Sequence, residues 1–261
     1  MAHIGLGEIS LSGNRDDAGW PKVLVNRFLI KRRKDMSQTD PVISQPQCHV
    51  ETFHYRLEPL VSLLDASVMG YELLAGKQFC PAFDLRGWRF FYAYLITEAP
   101  KILKNIEGLL FINLDGEHLL DADIMDLVAH LPKGRIVFEW IEYSFNDGLL
   151  PDILAAIARL KKSGFMIAVD DIGSGVDGMG RAISCKPQFA KIDGALLHHA
   201  RKSDLQTQHL YIKGMVESLQ SSGCKVLLEM IETHDDMKIA LATGADFGQG
   251  YLWTKGGAAH A

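Results

Sequence analysis

From Val50 onward, short apolar runs alternate with longer helix-like stretches, and run after run ends in an acid, an amide or a lysine. The runs lie near 51–63, 68–74, 109–115, 135–142, 165–171, 187–193, 225–231 and 247–253. The helix-like stretches lie near 87–105, 121–130, 149–163, 177–184, 203–221 and 234–242. Pro151 suits a first helical turn, with Asp152 favourable at the same end. Gly164 and Gly223 stand where helix C-terminal caps belong. Repeated β-then-α spacing predicts a parallel sheet with crossover helices. Seven or eight strands in about 210 residues fit a closed, TIM-like (β/α) barrel of the α/β class better than an open sheet. In such a barrel the strand ends form one face, so the polar groups that finish the runs converge there.

The chemistry of those endings is narrow. Phe165 to Val169 runs into Asp170 and Asp171, and two crowded carboxylates repel unless a cation or proton lies between them. Glu72, Asn113, Glu139, Glu142, Asp193, Glu229, Glu232 and Gln249 end other runs, with Lys191 among them. Converging hard oxygen ligands suit Mg²⁺ or Mn²⁺. Acids, an amide and one lysine on a single face point to metal-assisted attack on a phosphate ester. A competing pattern, GxGxxG over Gly173 to Gly178 with Asp193 twenty residues beyond Gly173, has the spacing of a dinucleotide-binding turn. It is set aside. Asp170, Asp171 and Asp177 would face a pyrophosphate, and the motif falls mid-chain rather than opening a domain.

Seven short segments, in order, give the chain a resemblance to a known family. They are Gly70 to Gly76 (GYELLAG), Phe111-Ile112-Asn113-Leu114, Glu139 to Tyr143 (EWIEY), Asp170 to Gly175 (DDIGSG), Ala190 to Asp193 (AKID), Leu228 to Thr233 (LEMIET) and Gln249-Gly250-Tyr251. This series resembles the EAL-type phosphodiesterases, which hydrolyse the bacterial second messenger cyclic di-GMP. The resemblance covers about residues 50–255. It implies an EAL-type barrel and one or two Mg²⁺ or Mn²⁺ ions, two being expected, with linear pGpG as product. It implies Glu72, Asn113, Glu139 and Asp170 as ligands of one ion, and Asp171, with Asp170 shared, at the second. Glu229 and Lys191 are implied to activate and orient the attacking water. Gln249 resembles a polar residue of the barrel floor, Glu142 the acid that anchors the loop after the Asp pair, and Glu232 and Asp193 supporting acids. A homodimer is expected on the same ground.

The departures fall on substrate-facing positions. Gly76 stands where the family usually has an arginine that contacts a substrate phosphate. Glu58, in Leu57-Glu58-Pro59-Leu60, replaces a glutamine near the substrate and adds a negative charge. Gln188 replaces an aspartate ahead of Lys191, Met230 replaces a glycine beside Glu229, and Val176 to Met179 replace the family's loop sequence. Gly76, Glu58 and Gln188 are therefore expected as divergent substrate-binding positions. Two function classes are open: a phosphodiesterase, and a module that binds cyclic di-GMP or a regulatory protein partner without turnover.

The remaining features bound the reading. Residues 1–45 are polar and are expected to form a flexible extension, 46–256 the EAL-like domain and 257–261 a short tail. The basic run Lys31-Arg32-Arg33-Lys34 reads as solvated linker, and Met36 is an alternative start. A net charge of −5 gives no basic field for a nucleic acid polymer. No apolar run approaches the ~20 residues a membrane span needs. The opening residues show no secretory signal. Four scattered cysteines without a CxxC predict reduced thiols in a cytoplasmic protein. The aromatic group Trp88, Phe90, Phe91, Tyr92 and Tyr94 predicts a core-facing helix stripe, and His198-His199 solvated histidines.

Overall fold

A computed structural model describes residues 55–75, 85–141, 147–174, 178–200 and 205–254. The N-terminal extension, the C-terminal tail, Gly76, Glu142 and Val176-Asp177 lie outside the described residues. Eight strands close a barrel in chain order: β1 (Tyr55–Ser62), β2 (Val68–Ala75), β3 (Leu109–Asp115), β4 (Ile136–Ile141), β5 (Met166–Ile172), β6 (Phe189–Ile192), β7 (Lys225–Leu228) and β8 (Phe247–Gly248). The helices are α1 (Leu85–Asn105), α2 (Gly116–Leu120), α3 (Ala122–Ala129), α4 (Leu150–Lys162), α5 (Gly178–Cys185), α6 (Ala195–Ala200), α7 (Leu205–Ser221), α8 (His234–Thr243) and α9 (Tyr251–Thr254).

One strand corrects the sequence reading. β1 pairs antiparallel with both β2 and β8, while every other pair is parallel. The cause is loop length. Only Leu63 to Ser67 separate β1 from β2, and a parallel return needs a crossover of a dozen or more residues. A hairpin is what so short a link allows, and its turn places Ala66 at φ +59°.

Two-residue periodicity sorts the strand side chains into layers. Leu60, Phe111, Val137, Ala168, Phe189 and Leu227, from six strands, form an apolar cluster in the barrel interior. The alternate residues, including Leu110, Ile112, Leu114, Phe138, Trp140, Ile167 and Val169, pack outward against the helices. Phe91 and Tyr92 of α1 join that outer core, as the aromatic stripe predicts. Two residues beyond each interior apolar residue stands a polar one: Asn113 after Phe111, Glu139 after Val137, Asp170 after Ala168, Lys191 after Phe189 and Glu229 after Leu227. On β1, which runs the other way, the polar residue Glu58 precedes Leu60 by two. The barrel is thus plugged by an apolar layer with a polar layer above it at the carboxyl end of the parallel strands.

Candidate metal centre and active site

Lys191 holds the polar layer together. Its ammonium, on a side chain 1% exposed, lies 2.8 Å from Glu229 Oε1, 2.9 Å from Glu139 Oε2, and 3.2 Å from both Glu72 Oε2 and Asp170 Oδ1. Those four carboxylates come from β2, β4, β5 and the end of β7. Asn113 Nδ2 donates to Glu72 Oε1 at 2.8 Å, and Gln249 Nε2 donates to Glu72 Oε2 at 2.6 Å and to Glu58 Oε2 at 3.2 Å. Glu58 faces Glu72 across the β1–β2 ladder, and Arg56 on β1 forms an ion pair with Glu58.

A break in β5 aims both members of the Asp pair at the same face. Neighbours on a regular strand point to opposite sides. Between Val169 and Ile172 the β5–β6 register shifts, and Asp171 takes φ +57°. This left-handed residue re-aims its side chain, as bulges next to active sites do. Carboxylate oxygens of Asp170, Asp171 and Glu229 then lie within 4.8 Å of one another. Arg181 of α5, 1% exposed, donates to the Trp140 carbonyl and the Asp170 carbonyl, both at 2.9 Å, and so ties the ends of β4 and β5. Sequence reading missed Arg181. The available signal was a charged residue among the apolar positions of a short helix.

Burial and crowding set the protonation of this layer. Burial lifts the Glu229 carboxyl to about 8 against the lowering pull of Lys191. Burial likewise lifts Asp170 to about 6. Glu139 goes well above the usual carboxylate range through burial and then the adjacent charge of Glu72. Asp171 is raised by burial and by Asp193. Glu72 moves the other way: burial pushes it up, but Lys191 and the hydrogen bonds from Gln249 and Asn113 outweigh that push. Lys191 is held well above its usual value, because Asp170, Glu139, Glu229 and Glu72 overcome the opposing effect of burial. Burial is the largest cause of each raised carboxyl, and repulsion among the neighbouring carboxylates, which Lys191 only partly offsets, adds to it.

A divalent ion fits these residues. Asn113 Oδ1 and Glu139 Oε1 are buried acceptors with no hydrogen-bond partner among the described residues. Such atoms are costly without a donor or a cation. The donor set is carboxylate and amide oxygen throughout, which suits Mg²⁺ or Mn²⁺.

The other expected residues divide between the cavity mouth and local roles. Glu58, Glu72, Glu229 and Glu232 line a cavity of about 290 Å³ beside the Lys191 cluster, together with Arg56 and Tyr251. Asp193 Oδ1 accepts from Ala195 N at 2.8 Å, at the start of α6, so part of its work is local. Asp115 ends β3 but caps α2 and bonds His118 Nδ1 at 2.5 Å, away from the layer. Gln188 is a correction. It precedes β6, exchanges hydrogen bonds with Ile167 and sits at the amino-terminal end of the barrel. Lys191 lies three positions further along the chain, about 10 Å of strand rise away. A substrate contact there is incompatible with its place.

Comparison with known proteins adds an independent line. A family model for the EAL domain matches residues 92–255. Among curated proteins, cyclic di-GMP phosphodiesterase TpdA of Vibrio parahaemolyticus is 23% identical over 217 residues, covering 78% of this chain and 37% of the relative. A cyclic di-GMP phosphodiesterase of Pseudomonas aeruginosa is 24% identical, covering 96% of this chain and 49% of the relative. The chain therefore spans less than half the length of these two curated relatives. Among solved structures, Klebsiella pneumoniae BlrP1, in a complex with manganese and cyclic di-GMP, superposes with a TM-score of 0.63 at 20% identity, covering 82% of this chain and 57% of that one. At that identity the likeness establishes the barrel fold.

Proposed function

The chain belongs to the EAL domain family, and from that premise we propose that it hydrolyses one phosphodiester of cyclic di-GMP to give linear pGpG, with Mg²⁺ or Mn²⁺ as cofactor. The observation that carries this reading is the convergence of Glu72, Glu139, Asp170 and Glu229 on one buried lysine, beside unpartnered oxygens of Asn113 and Glu139. Glu72, Asn113, Glu139, Asp170 and Asp171 would hold the metal, two ions sharing Asp170. When bound, such ions polarise the phosphate and acidify water. The protein's own groups do the rest. Glu229, whose carboxylate lies beside those of Asp170 and Asp171 at the cavity wall, is placed to take a proton from the attacking water. Lys191, 2.8 Å away, fixes that carboxylate in place. The water oxygen bonds to phosphorus as one ester P–O bond breaks, and the net change is addition of one water.

No helix among the described residues is long and apolar enough to cross a membrane. The described cysteines, Cys185 and Cys224, are free and buried, which supports a reducing, cytoplasmic setting. A homodimer is part of the same proposal. A second reading, a module that binds cyclic di-GMP or a protein partner without turnover, draws on one observation: Glu58 places a carboxylate at the cavity wall. One experiment separates the two. Purified protein is incubated with cyclic di-GMP and Mg²⁺ or Mn²⁺, and the nucleotides are resolved by chromatography. Metal-dependent pGpG, absent from a Glu72→Ala control, is the expected result. Binding without product at high protein concentration selects the second reading.

A further inference from the structure

Two positions depart from the family pattern, and their meaning rests on cyclic di-GMP being the ligand. Position 76, outside the described residues, holds glycine where the resemblance implies an arginine that contacts a substrate phosphate. Glu58 adds a carboxylate to the cavity wall. The ligand carries two phosphodiester charges, and the cavity it must enter is lined by Glu58, Glu72, Glu229 and Glu232. Among the described lining residues Arg56 is the one cation. It pairs across the β1–β2 ladder with Leu74, two residues before Gly76 in sequence. Cross-strand partners project to one face, so Arg56 brings its charge to the end of β2 that Gly76 follows. Glu58, two residues along β1, points the same way and binds the guanidinium through Oε1, while its Oε2 accepts from Gln249. The Arg56 side chain remains 34% exposed against 16% for Glu58, so the guanidinium is the solvent-facing partner. A guanidinium has five N–H donors in a planar fork, enough to hold a carboxylate and a phosphate together.

We propose that Arg56 is the phosphate-binding cation of this pocket, supplied from β1 in place of the arginine missing after β2. Glu58 orients its guanidinium, and the Glu58 charge opposes that of the ligand. The arrangement retains the anion contact that the sequence alone shows as lost.

The test is a double-variant cycle on affinity for cyclic di-GMP, read by isothermal titration calorimetry with Mg²⁺ present. The host is Glu229→Gln, which keeps the side-chain shape and cannot accept the water's proton. Arg56→Ala is expected to weaken binding about ten- to a hundredfold, the range for loss of a charge-assisted hydrogen bond. Glu58→Gln is expected to tighten it. The decisive comparison is Arg56→Ala in the Glu58→Gln background. A persistent loss supports the assignment. A double variant that binds as tightly as Glu58→Gln alone overturns it, since Arg56 would then only cancel Glu58. Circular dichroism of each variant confirms the fold. A host that binds no cyclic di-GMP, with wild type that forms no pGpG, sinks the functional reading itself. Binding that is insensitive to Arg56 sinks this inference and leaves that reading standing.

Discussion

Asp170 and Asp171 are consecutive residues of one strand, yet their carboxylates reach within 4.8 Å of each other and of Glu229. The geometry depends on Asp171 holding φ +57° where the β5–β6 register slips. Aspartate and asparagine tolerate this conformation better than other non-glycine residues, so two demands, a carboxylate and a left-handed backbone, select the residue.

Asp171→Asn separates those demands. It keeps the backbone preference and removes the charge. The expected outcome is an unchanged fold with Mn²⁺ affinity reduced by at least about tenfold, since even residues behind the ligands account for about 10- to 100-fold. Isothermal titration with Mn²⁺ reads the affinity and thermal unfolding reads the fold. Affinity equal to wild type would remove Asp171 from the ligand set.

Lys191→Met removes the charge at the centre of the layer with little change in volume. Glu72, Glu139, Asp170 and Glu229 then lose a shared counter-ion. Breaking a buried ion pair from one side costs about 3–5 kcal/mol, because the partner charge stays buried. Denaturant unfolding in chelator should show a loss of that order. Mn²⁺ should recover part of it by replacing the missing positive charge. A variant as stable as wild type in chelator would mean that the carboxylates are held neutral by protons and that the lysine is dispensable to the fold.

The barrel was legible in the chain because its period and its punctuation agree. Apolar alternation gives the strands, and the polar residue two positions past each interior residue gives the mouth. What escaped sequence reading needed register or direction. The link between the first two apolar runs is too short for a crossover helix, and the β-then-α rhythm of the rest of the chain masks that signal. Gln188 shares an apolar run with Lys191, yet three residues of strand put the two at different ends. Arg56 acquires meaning only once β1 and β2 are aligned, because its relation to Leu74 at the end of β2 is cross-strand and not sequential. The Asp pair was visible as a pair, but the register slip that brings both carboxylates to one face has no composition of its own.

Stability of the metal-free protein should fall as pH rises from about 5 to 8. Asp170 is pushed up to about 6 and Glu229 to about 8. Over that window the folded chain holds protons that unfolded carboxylates, with pKa values near about 4, have already released. The folded state therefore binds more protons than the unfolded state, and the free energy of unfolding decreases with pH. Glu72, shifted down, acts in the opposite sense only below the usual carboxylate range. Melting temperatures in chelator at pH 5.5, 7 and 8.5 should decline in that order. Saturating Mn²⁺ should flatten the trend, because a cation substitutes for the protons and its binding releases them. A melting temperature that climbs across the window in chelator would contradict the assigned protonation of the layer.

Met230→Gly addresses the second left-handed residue at the site. Met230 follows Glu229, takes φ +54° and is 41% exposed, so its side chain is only partly packed. A left-handed non-glycine residue costs about 1–2 kcal/mol, while glycine loses roughly 0.4–1 kcal/mol more on folding than a residue with a Cβ. The balance favours the variant by up to about 1.6 kcal/mol, readable as a higher midpoint in denaturant. The same change removes a side chain from the wall of the 290 Å³ cavity, next to Glu229. On the proposed activity, cyclic di-GMP should then bind more tightly, with KM lowered more than kcat is changed. If stability rises while KM stays fixed, the methionine strains the backbone without obstructing the ligand. If stability falls, the Met230 side chain contributes packing against Gly194 that outweighs the strain, since a Cβ on Gly194 would come within 2.2 Å of the Met230 Cβ.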